Sequence, residues 1–402
     1  MTSKTSDART LLSAAAVRSR ANEAFALAEA GELDDWTLNL DALPACADFV
    51  AEVVRKRYPM LDVPFHARWR HFVFGGRDLW REIAKEVTWR DADAKARAEF
   101  DLAITSVLLD AGAGAAWRFE DSSTDLVAAR SEGLALASLR LFEWGGFSAD
   151  PTDPLRADAE GLARLNGAAL ADAFQVRDSN PLEGLDGRAR LLNRLGQTVD
   201  ARAALFALQD APRPGGLYDL LKARATHGVL AAPIILEVLL DALGPIWENR
   251  PTLDGVPLGD CWPHPQLGYV ALHKLSQWLA YSLIEPLEAA GIRVVEIDGL
   301  TGLAEYRNGG LFVDAGVLVP RGDLTRAYNV SDPAIVSWRS LTVALLDRIA
   351  PMVRERLGVS AEQFPLARVL EGGTWAAGRK IARAKRADGG PPLLIHSDGT
   401  VF

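Results

Sequence analysis

The strongest constraint in this sequence is the recurrence of large apolar residues at three- and four-residue steps. Leu272, Leu275, Leu279 and Leu283 fall on one face of a helix, as do Trp338, Leu341, Leu345, Ile349 and Met352 in the 334–356 segment. Phe100, Ile104 and Leu108 repeat at four, with a stop expected at Asp110-Ala-Gly112. Ser331-Asp332-Pro333 supplies a cap and an early proline for the 334–356 helix. Segments 11–31, 42–57, 155–174, 187–210 and 228–243 read the same way. Strand-like runs are few and late: 292–297 (IRVVEI), 311–319 (LFVDAGVLV) and 393–395. The expected fold is mostly α, a multi-helix body with a small late β element. Glycine and proline clusters at 210–219 and 250–265 suggest two lobes, 1–210 and 211–402, the second carrying the β element, or one compact unit.

Composition narrows the function classes. With 49% apolar residues in 402, the chain can bury a core. A formal charge of −9 disfavours a general nucleic-acid binder. No stretch of about 18 apolar residues is free of charge, so no membrane span is expected. Cys46 and Cys261 are too few for a disulfide scaffold. The N-terminal LLSAAAV run is too short for a signal peptide, and the cytoplasm is the expected compartment.

Four polar clusters stand in apolar or aromatic settings. In the first, His66, Arg68, Arg70 and His71 interleave with Phe65, Trp69 and Phe72. Arginine forks beside aromatic walls suit a phosphate or carboxylate, and a surface loop with paired arginines suits the pattern too. The second holds Asp260, Cys261, Trp262 and His264, with Pro263 and Pro265 fixing the backbone, followed by His273 and Lys274. Asp260, His264 and His273 offer metal-ligand atoms, but without a recognised metal spacing. The third runs from Leu300 to Pro320. Asp314 sits there in an apolar run, and Glu305, Arg307 and Asn308 precede Gly309-Gly310, which lets a ligand approach the backbone. An Asp turning the chain before Gly316 is the plainer alternative. The fourth is Glu371-Gly-Gly-Thr374-Trp375, an anion-binding helix start or a connection capped by Thr374. P-loop, G-x-S-x-G, HExxH and GxGxxG patterns are absent. Most of the eleven tryptophans are expected in packing, with one or two lining a pocket.

Together these segments resemble the uracil catabolism protein 4 family, also called the fungal uracil-regulated protein 3 family. The resemblance is carried by PFHARWRHF (64–72), LLDAGAGAAWRFE (108–120), RSEGLALAS (130–138), GDCWPHP (259–265), HKLSQWLAYSLIEPL (273–287), LTGLAEYRNGGLFVDAGVL (300–318), WRSLTVALLDR (338–348), LEGGTW (370–375) and SDGTVF (397–402). It implies a role in uracil breakdown after ring opening, on a ribosylurea-like intermediate from which urea is released. LFVDAGVLVP also resembles, more weakly, the F-A-D-Y-x-V-P segment of queuosine-nucleotide glycosidases. Those proteins are related in fold to helix-hairpin-helix DNA glycosylases, and the match would give Asp314 their catalytic role. Ala315-Gly316 replaces their aromatic residue, which removes base stacking at that position.

Three readings follow. The first is an N-glycosidase-like hydrolase of ribosylurea or its phosphate, with Asp314 and Glu305 catalytic. Its substrate would be held by His66, Arg68, Arg70, Asp260, Trp262, His264, Lys274, Arg307, Asn308 and Arg339. Neither cofactor nor metal is expected there, because a carboxylate can stabilise the sugar cation. The second is a metal-dependent amidohydrolase using His66, His71, His264, His273 and Asp260. The third is a non-catalytic partner of the ring-opening enzyme.

Overall fold

The computed structural model describes residues 8–396, apart from 111, 115, 208–210 and 324. The SDGTVF segment therefore lies outside the described residues. The described chain divides into two compact units, each assembled from separated stretches. The first takes residues 8–66, 250–277 and 296–396; the second takes 67–249 and 278–295. The sequence-based boundary at 210/211 falls inside the second unit.

Both units are mainly helical. In the first, Ser13 accepts the Ala16 N–H at 3.1 Å and starts the Ala14–Glu29 helix. The Pro333–Leu357 helix opens on a proline at its first turn and ends at Gly358, whose φ of +72° is the left-handed stop glycine tolerates. Asp332 occupies the cap position, but its carboxylate accepts from Asn329 N–H rather than from the helix. Trp338, Leu341, Leu345 and Ile349 are buried, as their spacing requires. This helix packs against Ala14–Glu29 and Leu43–Arg57. Tyr306–Asp314 packs on Trp375–Lys385 so closely that a Cβ on Gly378 would lie 2.1 Å from the Arg307 carbonyl oxygen.

In the second unit, Asp91 caps the Ala92–Leu108 helix through Ala94 N–H at 2.7 Å, and Phe100, Ile104 and Leu108 are buried. Arg130–Glu143 packs beside it. The expected 155–174 helix is two short ones, Ala159–Arg164 and Gly167–Ala173, because Asn166 caps a new start. The Lys274–Ala289 helix spans the 277/278 division.

The strands correct two expectations. The run 311–319 is not a strand: Tyr306–Asp314 is helical, and only Leu318–Pro320 is extended, pairing antiparallel with Trp36–Leu38. Glu305 decides this by accepting two N–H groups of the first turn, while one face of the turn buries Asn308, Leu311 and Phe312. Nor is β structure confined to the late chain. Hairpins also occur at 73–78, 118–129 and 252–257, and Cys261–His264 pairs with Gly268–Ala271. Every sheet among the described residues has two strands. No described helix is long and apolar enough to cross a membrane.

Candidate functional site

In the first unit, Asp260, Trp262, Lys274 and Arg339 meet in one network. Arg339 is 1% exposed and donates to both Asp260 oxygens at 2.7 Å, and through Nε to the Ala304 carbonyl at 3.0 Å. Trp262 Nε1 (2.8 Å) and the Lys274 backbone N–H (3.0 Å) complete the Asp260 shell. Burial pushes the Asp260 carboxyl up, but the guanidinium and these donors overcome it and hold it well below the usual carboxylate range. The network therefore ties the Cys261–His264 strand, the start of the Lys274–Ala289 helix and the Pro333–Leu357 helix together.

The two histidines beside it are also engaged. His264 meets Ser337 Oγ at 2.8 Å through Nε2 and accepts the Gln266 N–H at Nδ1. His273 meets the Leu11 carbonyl at 2.8 Å through Nε2. Burial pulls both imidazoles below their usual range. Among the described residues, no group of three or more His, Cys, Asp or Glu is placed to hold a metal. The ligand set drawn from Asp260, His264 and His273 is thus corrected: each is committed to a different neighbour.

The third cluster is built differently from its expected role. Glu305 caps its helix, accepting from Arg307 N–H at 2.7 Å and Asn308 N–H at 2.6 Å. Arg307 donates to the Gly389 carbonyl at 2.9 Å, and Asn308 Nδ2 to the Leu303 carbonyl at 3.3 Å. Gly309 faces Trp338 and Thr342, and a Cβ there would lie 2.8 Å from each. That glycine admits a neighbouring helix, not a ligand. Asp314, at the helix end with its side chain 4% exposed, accepts both guanidinium nitrogens of Arg386, one at 2.8 Å. Its carboxylate is thus held in an ion pair.

The fourth cluster is also different. Leu366–Val369, Leu370–Thr374 and Trp375–Lys385 follow one another, the middle stretch as a π-helix. Thr374 has helical angles and caps nothing. Glu371 Oε2 lies 2.8 Å from His66 Nδ1, with both side chains buried, and the Trp375 ring centroid is 5.7 Å from the imidazole.

In the second unit, Arg68 is 0% exposed. Its Nε donates to Ser106 Oγ and its Nη1 to Asp110 Oδ1, both at 2.7 Å, and His71 Nδ1 lies 3.2 Å from Nη1. Its Nη2 is buried without a partner. Burial lowers the Arg68 guanidinium despite Asp110, and lowers Arg188 to about 10. Arg188 fixes the chain on either side of Asp110 by donating to the Leu109 carbonyl at 3.0 Å and the Gly112 carbonyl at 2.9 Å. Arg70 is not part of this cluster. It binds both oxygens of Glu285 (2.8 and 2.6 Å) at a cleft of about 530 Å³ that Trp69, Trp80 and Lys95 also line. The two arginines thus do not form one clamp. Sequence reasoning placed Glu371 in the fourth cluster without giving it a role, and passed over Asp110 and Arg188 as site residues; the only available signal for those two was a charged residue flanked by apolar or glycine neighbours.

A family described as "Protein of unknown function (DUF1688)" matches residues 10–402. The chain belongs to this family. It is similar to "Protein urg3" of Schizosaccharomyces pombe, with 38% identity over 98% of both chains. It is also similar to "Uracil catabolism protein 4" of Lachancea kluyveri, with 36% identity over 92% of this chain and 93% of the relative.

Proposed function

We propose that this chain serves uracil catabolism as a hydrolase that splits the N-glycosidic bond of a ribosylurea or ribosylurea phosphate and releases urea. The observation that carries the pathway is the nearly full-length similarity to a relative named for uracil catabolism. Similarity at that identity over nearly the whole of both chains makes a shared pathway the simplest expectation.

Two features support hydrolytic chemistry. The His66–Glu371 pair joins an imidazole to a carboxylate at 2.8 Å, the arrangement in which a histidine gives and takes protons in a fixed orientation. The Arg68 guanidinium is pinned at Nε and Nη1 and leaves Nη2 for an oxygen acceptor such as a phosphate or a urea carbonyl. Asp314 was the sequence-based catalytic candidate. Paired with Arg386, it would have to exchange that partner to face a sugar cation.

Purified protein incubated with ribosylurea and with its 5′-phosphate should release urea, measured by coupled urease. Failure with both substrates, together with tight binding to the ring-opening enzyme, would favour the non-catalytic partner reading instead.

A further inference from the structure

A π turn widens a helix by one residue at the expense of hydrogen-bond geometry, and such turns concentrate at functional sites. The sequence of the Leu370–Thr374 turn accommodates it: Gly372 and Gly373 lie against Val50, Val54 and Val63, and a Cβ on Gly373 would stand 2.7 Å from a Val50 methyl. The turn projects Glu371 onto His66, whose own backbone N–H is fixed to the Ala367 carbonyl at 3.0 Å. Thr374, on the same turn, is 0% exposed and its hydroxyl has no partner. A buried lone hydroxyl is rare, and a bound polar group would supply what it lacks.

We propose that His66 is the proton-transfer residue of the hydrolysis and Glu371 its positioning residue, joined by the π turn. The inference rests on the hydrolase reading above. Glu371 holds the Nδ1 proton, so exchange occurs at Nε2. As the C1–N bond breaks, its electron pair stays on the ureido nitrogen, which takes the proton from Nε2 and leaves as urea. Water then bonds to C1 and gives its proton to the neutral imidazole, restoring it. The sum is ribosylurea plus water giving ribose plus urea.

The other Glu371 oxygen also has polar neighbours. Arg57 Nη2 and Tyr58 Oη both lie 3.5 Å from Glu371 Oε1, farther than the imidazole lies from Oε2. Arg379 stacks on Trp375 at 4.8 Å.

The test compares kcat and KM for urea release by the wild type, His66→Gln, Glu371→Gln and Glu371→Asp, with thermal melts as folding controls. His66→Gln should lose about 10²-fold or more and melt normally. Glu371→Gln should lose less, in kcat rather than KM, and Glu371→Asp should recover part of that loss. Wild-type kcat in His66→Gln, or a Glu371→Gln loss confined to KM, overturns the proposal. If His66→Gln does not fold, Glu371→Gln and Glu371→Asp decide alone. If the wild type releases no urea, the hydrolase reading fails by itself, and nitrogen NMR of the imidazole then judges the pair. Nδ1 of His66 should carry the proton in the wild type and lose that preference in Glu371→Gln. A bare Nδ1 in the wild type rejects the assignment.

Discussion

Replacing Arg339 by methionine separates a structural guanidinium from a substrate-binding one. The side chain is 1% exposed and makes two 2.7 Å contacts with Asp260 plus one to the Ala304 carbonyl. Removing one partner of a buried pair costs about 3–5 kcal/mol. Trp262 Nε1 and the Lys274 N–H remain on the carboxylate, which favours the lower end. The orphaned Ala304 carbonyl adds about 1 kcal/mol. A loss near 4 kcal/mol is a large part of the ~5–15 kcal/mol that holds a domain together, and it should lower Tm by about 10 °C.

The pH dependence carries a sign. In the wild type Asp260 is depressed below its unfolded value of about 3.9, so its contribution is complete above that pH and fades as pH falls through the folded value. In the variant, burial alone would raise Asp260, so stability is lost as pH rises through the raised value. The gap between the two proteins should therefore be widest near pH 7 and shrink toward pH 4. Adding Asp260→Asn to the variant should recover at least ~1 kcal/mol, because the uncompensated charge is gone. Urea titrations followed by circular dichroism measure all three proteins. A loss below about 1 kcal/mol, the scale of an exposed pair, combined with a raised KM, would return Arg339 to substrate binding.

Other substitutions probe the remaining assignments. Asp314→Asn and Arg386→Met should lower Tm by similar amounts because they break the same pair, while Asp314→Asn keeps most of the urea-releasing turnover; a 10²-fold loss at unchanged Tm would restore Asp314 to catalysis. Gly378→Ala should destabilise by about 2 kcal/mol or more in chemical denaturation, since its methyl would meet the Arg307 carbonyl at 2.1 Å; a neutral effect would refute the close helix contact. Burial pushes the Cys46 and Cys261 thiols up to about 12, so neither should react with a disulfide reagent at pH 8 in the native protein, and both should react in urea.

The helical body was legible because its apolar faces are written at three- and four-residue steps, and Trp338, Leu341, Leu345 and Ile349 are buried accordingly. The 311–319 run was misread because Leu-Phe-Val-Asp fits a strand as well as a helix, and the deciding group, the Glu305 cap, stands six residues before that run. The individual polar residues were found more readily than their partners. His66 and Glu371 are 305 positions apart, and Arg68 reaches Ser106 and Asp110 across 38 and 42. Local chemistry marks such residues as candidates, but only tertiary packing says which carboxylate each cation meets. That is why the Glu285 and Asp260 partners of Arg70 and Arg339, two residues chosen to hold a substrate, were not foreseen.

The most direct measurement is carbon NMR of the reaction with a ribosylurea labelled with carbon-13 at its carbonyl. N-glycosidic cleavage predicts that all of the label leaves as urea while free ribose accumulates in equal amount. Label emerging as carbonate with ammonia and ribosylamine would mean that the ureido carbonyl is attacked instead. An unchanged substrate signal in both the free and the phosphorylated compound would contradict the hydrolase account altogether.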